Sequence, residues 1–244
     1  MLLLRPLGGS MSLWGAFADR LAESFRVVLF DPRGVGTSSP APERLTIEDM
    51  AADAGALLDH LRVRRLSVFG LSLGGMVAQR LALTRPGQLE RMVLASTVAR
   101  GLDFTGAGVR RGLRFAACLA GPAPESAVCL ATRVLSRRFR REQPERAASI
   151  LRSVAAEAPS TRALWAMLGA AAGFDARREL RRLTMPVLVL NGSEDRLVSA
   201  AAQAELVHAL PAGCFDVVER CGHDLSLEKP METAERVAAF FSAR

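Results

Sequence analysis

The chain sets Gly70-Leu71-Ser72-Leu73-Gly74 directly between an apolar run, Leu66-Ser67-Val68-Phe69, and a helix-like run from Met76 to Leu83. A serine with glycine two residues before it and two after it suits a very tight turn from strand into helix. Gly70 and Gly74 remove side chains that would collide across such a turn, and glycine tolerates the backbone angles the turn needs. The pattern predicts that Ser72 Oγ projects at the carboxyl edge of a sheet. It also predicts that the Leu73 N–H lies at a helix N-terminus, where developing negative charge is stabilised.

Strand-like runs recur at 2–4, 26–30, 66–70, 91–95, 187–191 and 214–218, with helical patterns near 12–24, 46–61, 73–84, 199–209 and 231–241. This alternation predicts an α/β fold with a mostly parallel, doubly wound sheet covered on both faces and joined by right-handed crossovers. Thr46 can cap the second helix, with Glu48 and Asp49 in its first turn. Arg85-Pro86-Gly87 ends the helix that follows Ser72. Residues 101–180 break the alternation into short helices punctuated by Pro122, Pro124, Pro144 and Pro159. Residues 1–100 and 181–244 are therefore expected to form the core, and 101–180 a helical insertion. Phe104, Phe115, Phe139, Trp165, Met167 and Phe174 are candidates to line the underside of the insertion or to pack its helices together.

A serine nucleophile needs a base, and the base needs an acid to orient it. The chain holds three histidines, His60, His208 and His223. His60 and His208 fall in helical patterns, whereas Gly222-His223 follows the strand-like Phe215-Asp216-Val217-Val218 on a tight loop. The strand-like Pro186-Val187-Leu188-Val189-Leu190 runs into Asn191-Gly192-Ser193-Glu194-Asp195, which offers an acid at a strand's carboxyl end. Asp195 has the loop position that Glu194, Asp216 and Asp224 lack. Ser72, Asp195 and His223 are thus the expected catalytic groups, in that chain order. Asp31 and Arg33 are expected to hold their own turn together.

These pieces resemble the α/β-hydrolase family across nearly the whole chain. Leu2-Leu3-Leu4-Arg5-Pro6-Leu7-Gly8-Gly9-Ser10 looks like the family's strand and oxyanion loop, and Asp31-Pro32-Arg33-Gly34-Val35-Gly36-Thr37-Ser38 like its D-x-R-G-x-G-x-S turn. Gly70 to Gly75 looks like its nucleophile elbow, Asn191 to Asp195 like its acid loop, and Gly222-His223 like its histidine loop. The resemblance is strongest to the lactonase and esterase branch that includes 3-oxoadipate enol-lactonases. It implies an α/β-hydrolase fold, with 101–180 as a cap, or lid, that shapes substrate choice. It also implies hydrolysis of a carboxylic ester or lactone of a small metabolite through an acyl-enzyme, without cofactor. The backbone N–H groups of Leu7 and Leu73 would form the oxyanion hole. Two departures stand out. The family carries one or two strands before the one matching Leu2-Leu3-Leu4, so the outer sheet edge is expected to be exposed. The family's His-Gly dipeptide is replaced by Arg5-Pro6, whose proline fixes φ and lacks an N–H, so the loop's path is expected to differ. Arg5 is a candidate substrate anchor or loop strut, and Trp165 a candidate substrate contact.

Ser72 at the elbow excludes the epoxide hydrolases and haloalkane dehalogenases of this fold, which carry aspartate there. Asp224 after the histidine departs from the tryptophan of carbon–carbon bond hydrolases and the lysine of hydroxynitrile lyases. Cofactor-free haloperoxidases share the triad. Two further readings stay open: a thioesterase or cyclase acting on carrier-bound acyl chains, and a non-catalytic binding protein that kept the fold.

The net charge is +7 and Lys229 is the sole lysine, so the positive charge is almost entirely arginine. The arginine pairs 110–111, 137–138, 140–141, 177–178 and 181–182 are scattered among helices without interleaved aromatics. That distribution predicts a solvated face, not a nucleic-acid surface. An anionic substrate or an acidic carrier protein is compatible with it. Cys118, Cys129, Cys214 and Cys221 show no metal-like spacing, and Cys118 and Cys129, in apolar helical runs, are expected to be buried free thiols. No apolar run approaches the ~20 residues of a membrane span, and Met1-Leu2-Leu3-Leu4 is too short for a signal peptide. The expected location is the cytoplasm. A small molecule is the expected partner.

Overall fold

The structure, a computed structural model, describes residues 1–101 and 113–243. Phe104 and the 110–111 arginine pair lie outside the described residues. Five strands, β1 (Leu2–Leu4), β2 (Leu66–Leu71), β3 (Leu89–Ala95), β4 (Val187–Gly192) and β5 (Gly213–Val218), form one parallel sheet in the order β1-β2-β3-β4-β5. Alternate residues of β1 to β4 feed two separate apolar clusters, so these strands are dry on both faces, as a parallel sheet requires, while the last strand, β5, gives only Val218 to a cluster and exposes Cys214 and Phe215. Leu2, Val68, Met92 and Val189 join the cluster under helices Ile47–His60, Leu73–Thr84 and Ala200–Ala209. Leu3, Phe69, Val93 and Leu190 join the cluster under helices Gly15–Ala22 and Pro230–Ser242. Trp14, Phe17 and Phe69 anchor this second layer, with the Phe17 and Phe69 ring centroids 4.9 Å apart.

The run 26–30 packs as a strand but pairs as one only at Val28. Val27 and Leu29 face one cluster, and Val28 and Phe30 face the other. A single parallel bridge joins Val28 to Leu2, with Leu3 N donating to Val28 O at 3.1 Å and Val28 N to Met1 O at 2.8 Å.

Thr46 caps its helix as its sequence predicts. Its hydroxyl accepts from Asp49 N at 3.1 Å, and Asp49 Oδ2 accepts from Thr46 N at 3.0 Å. The side chains of Asp31 and Arg33 reach out of their turn and tie it to other elements: Asp31 Oδ1 accepts from Met11 N at 2.6 Å, and Arg33 pairs bidentately with Asp53 of helix Ile47–His60.

Between β3 and β4 stand helices Ala123–Val134, Arg137–Glu142, Pro144–Ala156 and Thr161–Gly173, after a helical segment at 113–118. Pro122, Pro124 and Pro144 lie at helix starts, where a missing N–H costs nothing. Cys118 and Cys129 are joined by a disulfide, Cα–Cα 5.5 Å, which overturns the free thiols expected of them. The turn through Gly121 folds segment 113–118 back on helix Ala123–Val134 and sets the two side chains face to face. Cys214 and Cys221 are free thiols, and burial pushes the Cys221 thiol pKa up, leaving it an inert core group.

Among the described residues no helix is long and apolar enough to cross a membrane, and no cluster of side chains is arranged to hold a metal ion.

Candidate active site

The strand-to-helix turn delivers Ser72 in a strained backbone, φ 54° and ψ −114°, a left-handed conformation that a non-glycine residue adopts only when its surroundings force it. The forcing contacts are close. Ser72 N donates to Ala95 O at 2.9 Å, and Ser72 O accepts from Thr97 Oγ1 at 2.7 Å. The flanking glycines serve proximity, not φ. A Cβ on Gly74 would lie 2.1 Å from Leu4 O, and one on Gly70 would lie 2.5 Å from Gly74 O. The unusual backbone angle that the sequence assigns to the glycines falls on the serine itself.

Asp195 and His223 come from the loops after β4 and β5, and because the sheet is parallel they reach the same edge as Ser72. The two loops touch where glycine allows it, since a Cβ on Gly192 would lie 2.1 Å from Gly222 O. Asp195 is fully buried at its side chain. Its Oδ2 faces His223 Nδ1 at 2.9 Å, while Oδ1 accepts from Leu197 N at 2.7 Å and Val198 N at 3.2 Å. The carboxylate is thus fixed on both oxygens. Burial lowers the proton affinity of the His223 ring, but the facing Asp195 carboxylate, with Asp224 and Glu228 behind it, outweighs burial and raises its pKa above the ordinary value. The other acids the sequence offers are engaged elsewhere: Glu194 with Arg138, Asp216 with Arg236, and Asp224 with Arg5. His60 ends helix Ile47–His60 and His208 lies in helix Ala200–Ala209.

Ser72 and His223 line one cavity of about 210 Å³, with Leu7, Met76, Leu130 and Leu164 among its walls. A second cavity of about 550 Å³ opens from Ser72, Leu7 and Leu73 toward Phe115, Trp165 and Leu168. Among the described residues neither the Leu7 nor the Leu73 backbone N–H has a hydrogen-bond acceptor. Of the aromatic and Met candidates in the insertion, Phe115 and Trp165 line cavity walls. Phe139, Met167 and Phe174 are buried in packing clusters.

Two buried groups brace the site: Arg5, for which the sequence leaves anchor and strut open, and Glu228, which it does not single out. Arg5 is sealed in: Nη1 donates to Ser226 Oγ at 3.1 Å, Nη2 meets Asp224 Oδ2 at 3.3 Å, and the guanidinium lies 4.5 Å from the Trp14 ring centroid. Its charge is spent on Asp224, so it ties the loop bearing Leu7 to the loop bearing His223. Glu228 accepts from Ser136 N at 2.5 Å, Ser136 Oγ at 2.8 Å and Gly222 N at 3.0 Å, and His223 N donates to Val134 O at 3.0 Å. These bonds lock the inserted helices to the histidine loop. The signal for Glu228 was only its short distance from His223 along the chain.

A parallel sheet wrapped on both faces, with a strained serine after one strand and an acid-oriented histidine after the last, defines an α/β hydrolase. The family model Hydrolase_4, described as "Serine aminopeptidase, S33", matches residues 3–230, and the chain belongs to that family. It is 27% identical over 239 residues to 3-oxoadipate enol-lactonase 2 of Acinetobacter baylyi, covering 98% of this chain and 87% of that protein. It is 29% identical over 248 residues to RutD of Pseudomonas syringae pv. syringae, which carries a provisional carbamate-hydrolase name, covering 100% and 94%. Among solved structures, the enol-lactonase from Burkholderia xenovorans LB400 superposes with a TM-score of 0.84 at 25% identity, over 99% of this chain and 90% of that one.

Proposed function

We propose that the protein hydrolyses a carboxylic ester or lactone of a small metabolite, with Ser72 as nucleophile, His223 as general base and acid, and Asp195 as its orienting acid. The observation that carries this reading is the convergence of strained Ser72 and the Asp195-held His223 on one largely apolar cavity. His223 takes the Ser72 proton as Oγ attacks the carbonyl carbon. The Leu7 and Leu73 N–H groups, lacking other acceptors, receive the oxyanion. His223 then protonates the departing oxygen, and water attacks the acyl-enzyme by the reverse of the same steps. The inserted helices act as the lid, with Trp165 as a substrate contact and Arg5 as a positioning residue. An enol-lactonase among the similar proteins supports lactone or ester chemistry over a binding role.

A fluorophosphonate probe read by intact mass tests the nucleophile. Wild type is expected to gain one adduct, localised to Ser72. A folded protein that stays unlabelled refutes the reading and favours a non-catalytic binding protein.

The pH profile tests the base. Because the His223 pKa is raised and the base must be neutral, kcat/KM is expected to rise with pH through a midpoint above 6.5 and then level off. Asp195→Asn removes the main contribution that raises the pKa, so the acid limb moves to lower pH. The rate above it falls by about 10⁴-fold, because the ring's tautomer is no longer held. An unmoved acid limb in Asp195→Asn would show that another group is the base.

A further inference from the structure

A third cavity, about 420 Å³, is bounded by His223 and Gly222 and shares Phe115, Val134, Leu197 and His223 with the cavity that holds Ser72, but does not reach Ser72 itself. Arg114, Arg133, Arg137, Arg140 and Arg196 line it. They come from separate places: segment 113–118, helix Ala123–Val134, helix Arg137–Glu142 and the loop after β4. None of the five forms an ion pair among the described residues, whereas Arg5, Arg33, Arg80, Arg85, Arg138, Arg177 and Arg236 all do. The one acid in its wall, Glu194, is already held by Arg138 at 2.5 Å, and nearby Glu142 by Arg138, Arg141 and Arg220. The Nε of Arg140 is buried with no partner. An arginine-rich composition explains many arginines. It does not explain five without an acidic partner, of which only Arg133 has a side-chain hydrogen bond among the described residues, to Cys118 Sγ at 2.9 Å, bordering one cavity while the local acids are neutralised by others.

The position gives the charge a meaning, on the reading that Ser72 and His223 are the nucleophile and base. The departing oxygen must lie beside His223, since that ring supplies its proton. The acyl chain takes the largest of the three cavities, which is mostly apolar, with Leu7, Met76, Phe115 and Trp165 in its wall beside Arg100 and Glu205, and which does not include His223. We infer that the substrate joins an apolar acyl group to an anionic leaving group, and that the five arginines bind the negative charge of that leaving group. The ester C–O bond breaks as the Ser72–acyl bond forms, and the Ser72 proton passes through His223 to the departing oxygen. The anionic alcohol leaves through the arginine cavity, and water releases the acid.

The test uses two hexanoyl esters of matched size and leaving-group acidity, one of 4-hydroxybenzenesulfonate and one of neutral 4-hydroxybenzenesulfonamide. Wild type is expected to favour the sulfonate by about tenfold or more in kcat/KM, mostly through KM, as electrostatic recognition acts chiefly on capture. The preference is expected to shrink toward one in about 1 M salt, where the screening length is ~3 Å. Arg137→Glu/Arg140→Glu is expected to reverse it. A general loss of folded enzyme lowers both rates and leaves their ratio, so the ratio reads the cavity alone. A ratio near one in wild type, or one that the double variant does not change, overturns the inference while leaving the hydrolase reading intact. Failure to hydrolyse either ester, with Ser72 unlabelled by fluorophosphonate, overturns both.

Discussion

Ser72→Ala is expected to lower kcat by about 10⁴- to 10⁶-fold, the loss seen when a nucleophile is removed from a cooperating triad, and to leave the melting temperature unchanged. The two halves of that expectation rest on different observations. Turnover is lost because the acyl group has nowhere to form a bond, while cavity, base and N–H donors persist. Stability is kept because the elbow is held by the backbone: Ser72 N to Ala95 O, and Thr97 Oγ1 to Ser72 O. Alanine and serine meet the same strain at φ 54°. Glycine does not, so Ser72→Gly is expected to be equally inactive yet more stable by about 1 kcal/mol. Steady-state kinetics beside a thermal melt decide the matter. A few percent of activity surviving in Ser72→Ala would remove the serine from the mechanism.

Arg5→Ala is expected to cost about 3–5 kcal/mol, because it strands Asp224 as a buried, unpaired charge. The side chains of Arg5 and Asp224 are 2% and 1% exposed, so water cannot replace the lost partner. For a chain of this size that lowers the melting temperature by roughly 10 °C. The double variant Arg5→Met/Asp224→Leu, which removes both charges, is expected to recover much of the loss, so a double-mutant cycle isolates the pair. The pair joins the loop before Leu7 to the loop after His223, and its loss is therefore expected to lower kcat more than it raises KM. A wild-type melting temperature in Arg5→Ala would mean that the pair holds nothing together.

What the sequence made legible was whatever local chemistry decides. The serine turn needs glycines at fixed offsets, a helix start needs a hydroxyl such as Thr46, and strands buried on both faces need unbroken apolar runs. Each of these is written within a few residues. Contacts between distant residues were not legible. Arg5 reads as a substrate anchor or a loop strut, and only Asp224, 219 residues away, decides for the strut. Cys118 and Cys129 read as buried thiols because apolar helical periodicity does not say that the turn between them folds back. The run 26–30 reads as a full strand because its alternation is sound, while its pairing rests on Val28 alone. Arg137 and Arg140 read as part of a solvated face, and Arg137 is indeed exposed; that Arg114, Arg133 and Arg196 border the same cavity is not legible, because they come from separate elements whose convergence no periodicity encodes.

The order of the sheet has a consequence for synthesis. Apart from the run 26–30, which packs outside β1, the strands lie in space as they lie in sequence, so the sheet can grow from β1 toward β5 as the chain leaves the ribosome. The serine emerges early, but Asp195 follows only after the inserted helices, and His223 comes within the last tenth of the chain. On the proposed roles, a nascent or truncated polypeptide presents Ser72 with no base to activate it. Hydrolytic capacity then arrives only after the last strand, with the closing helix Pro230–Ser242 still to pack on the sheet, so the onset of reactivity comes at the very end of folding.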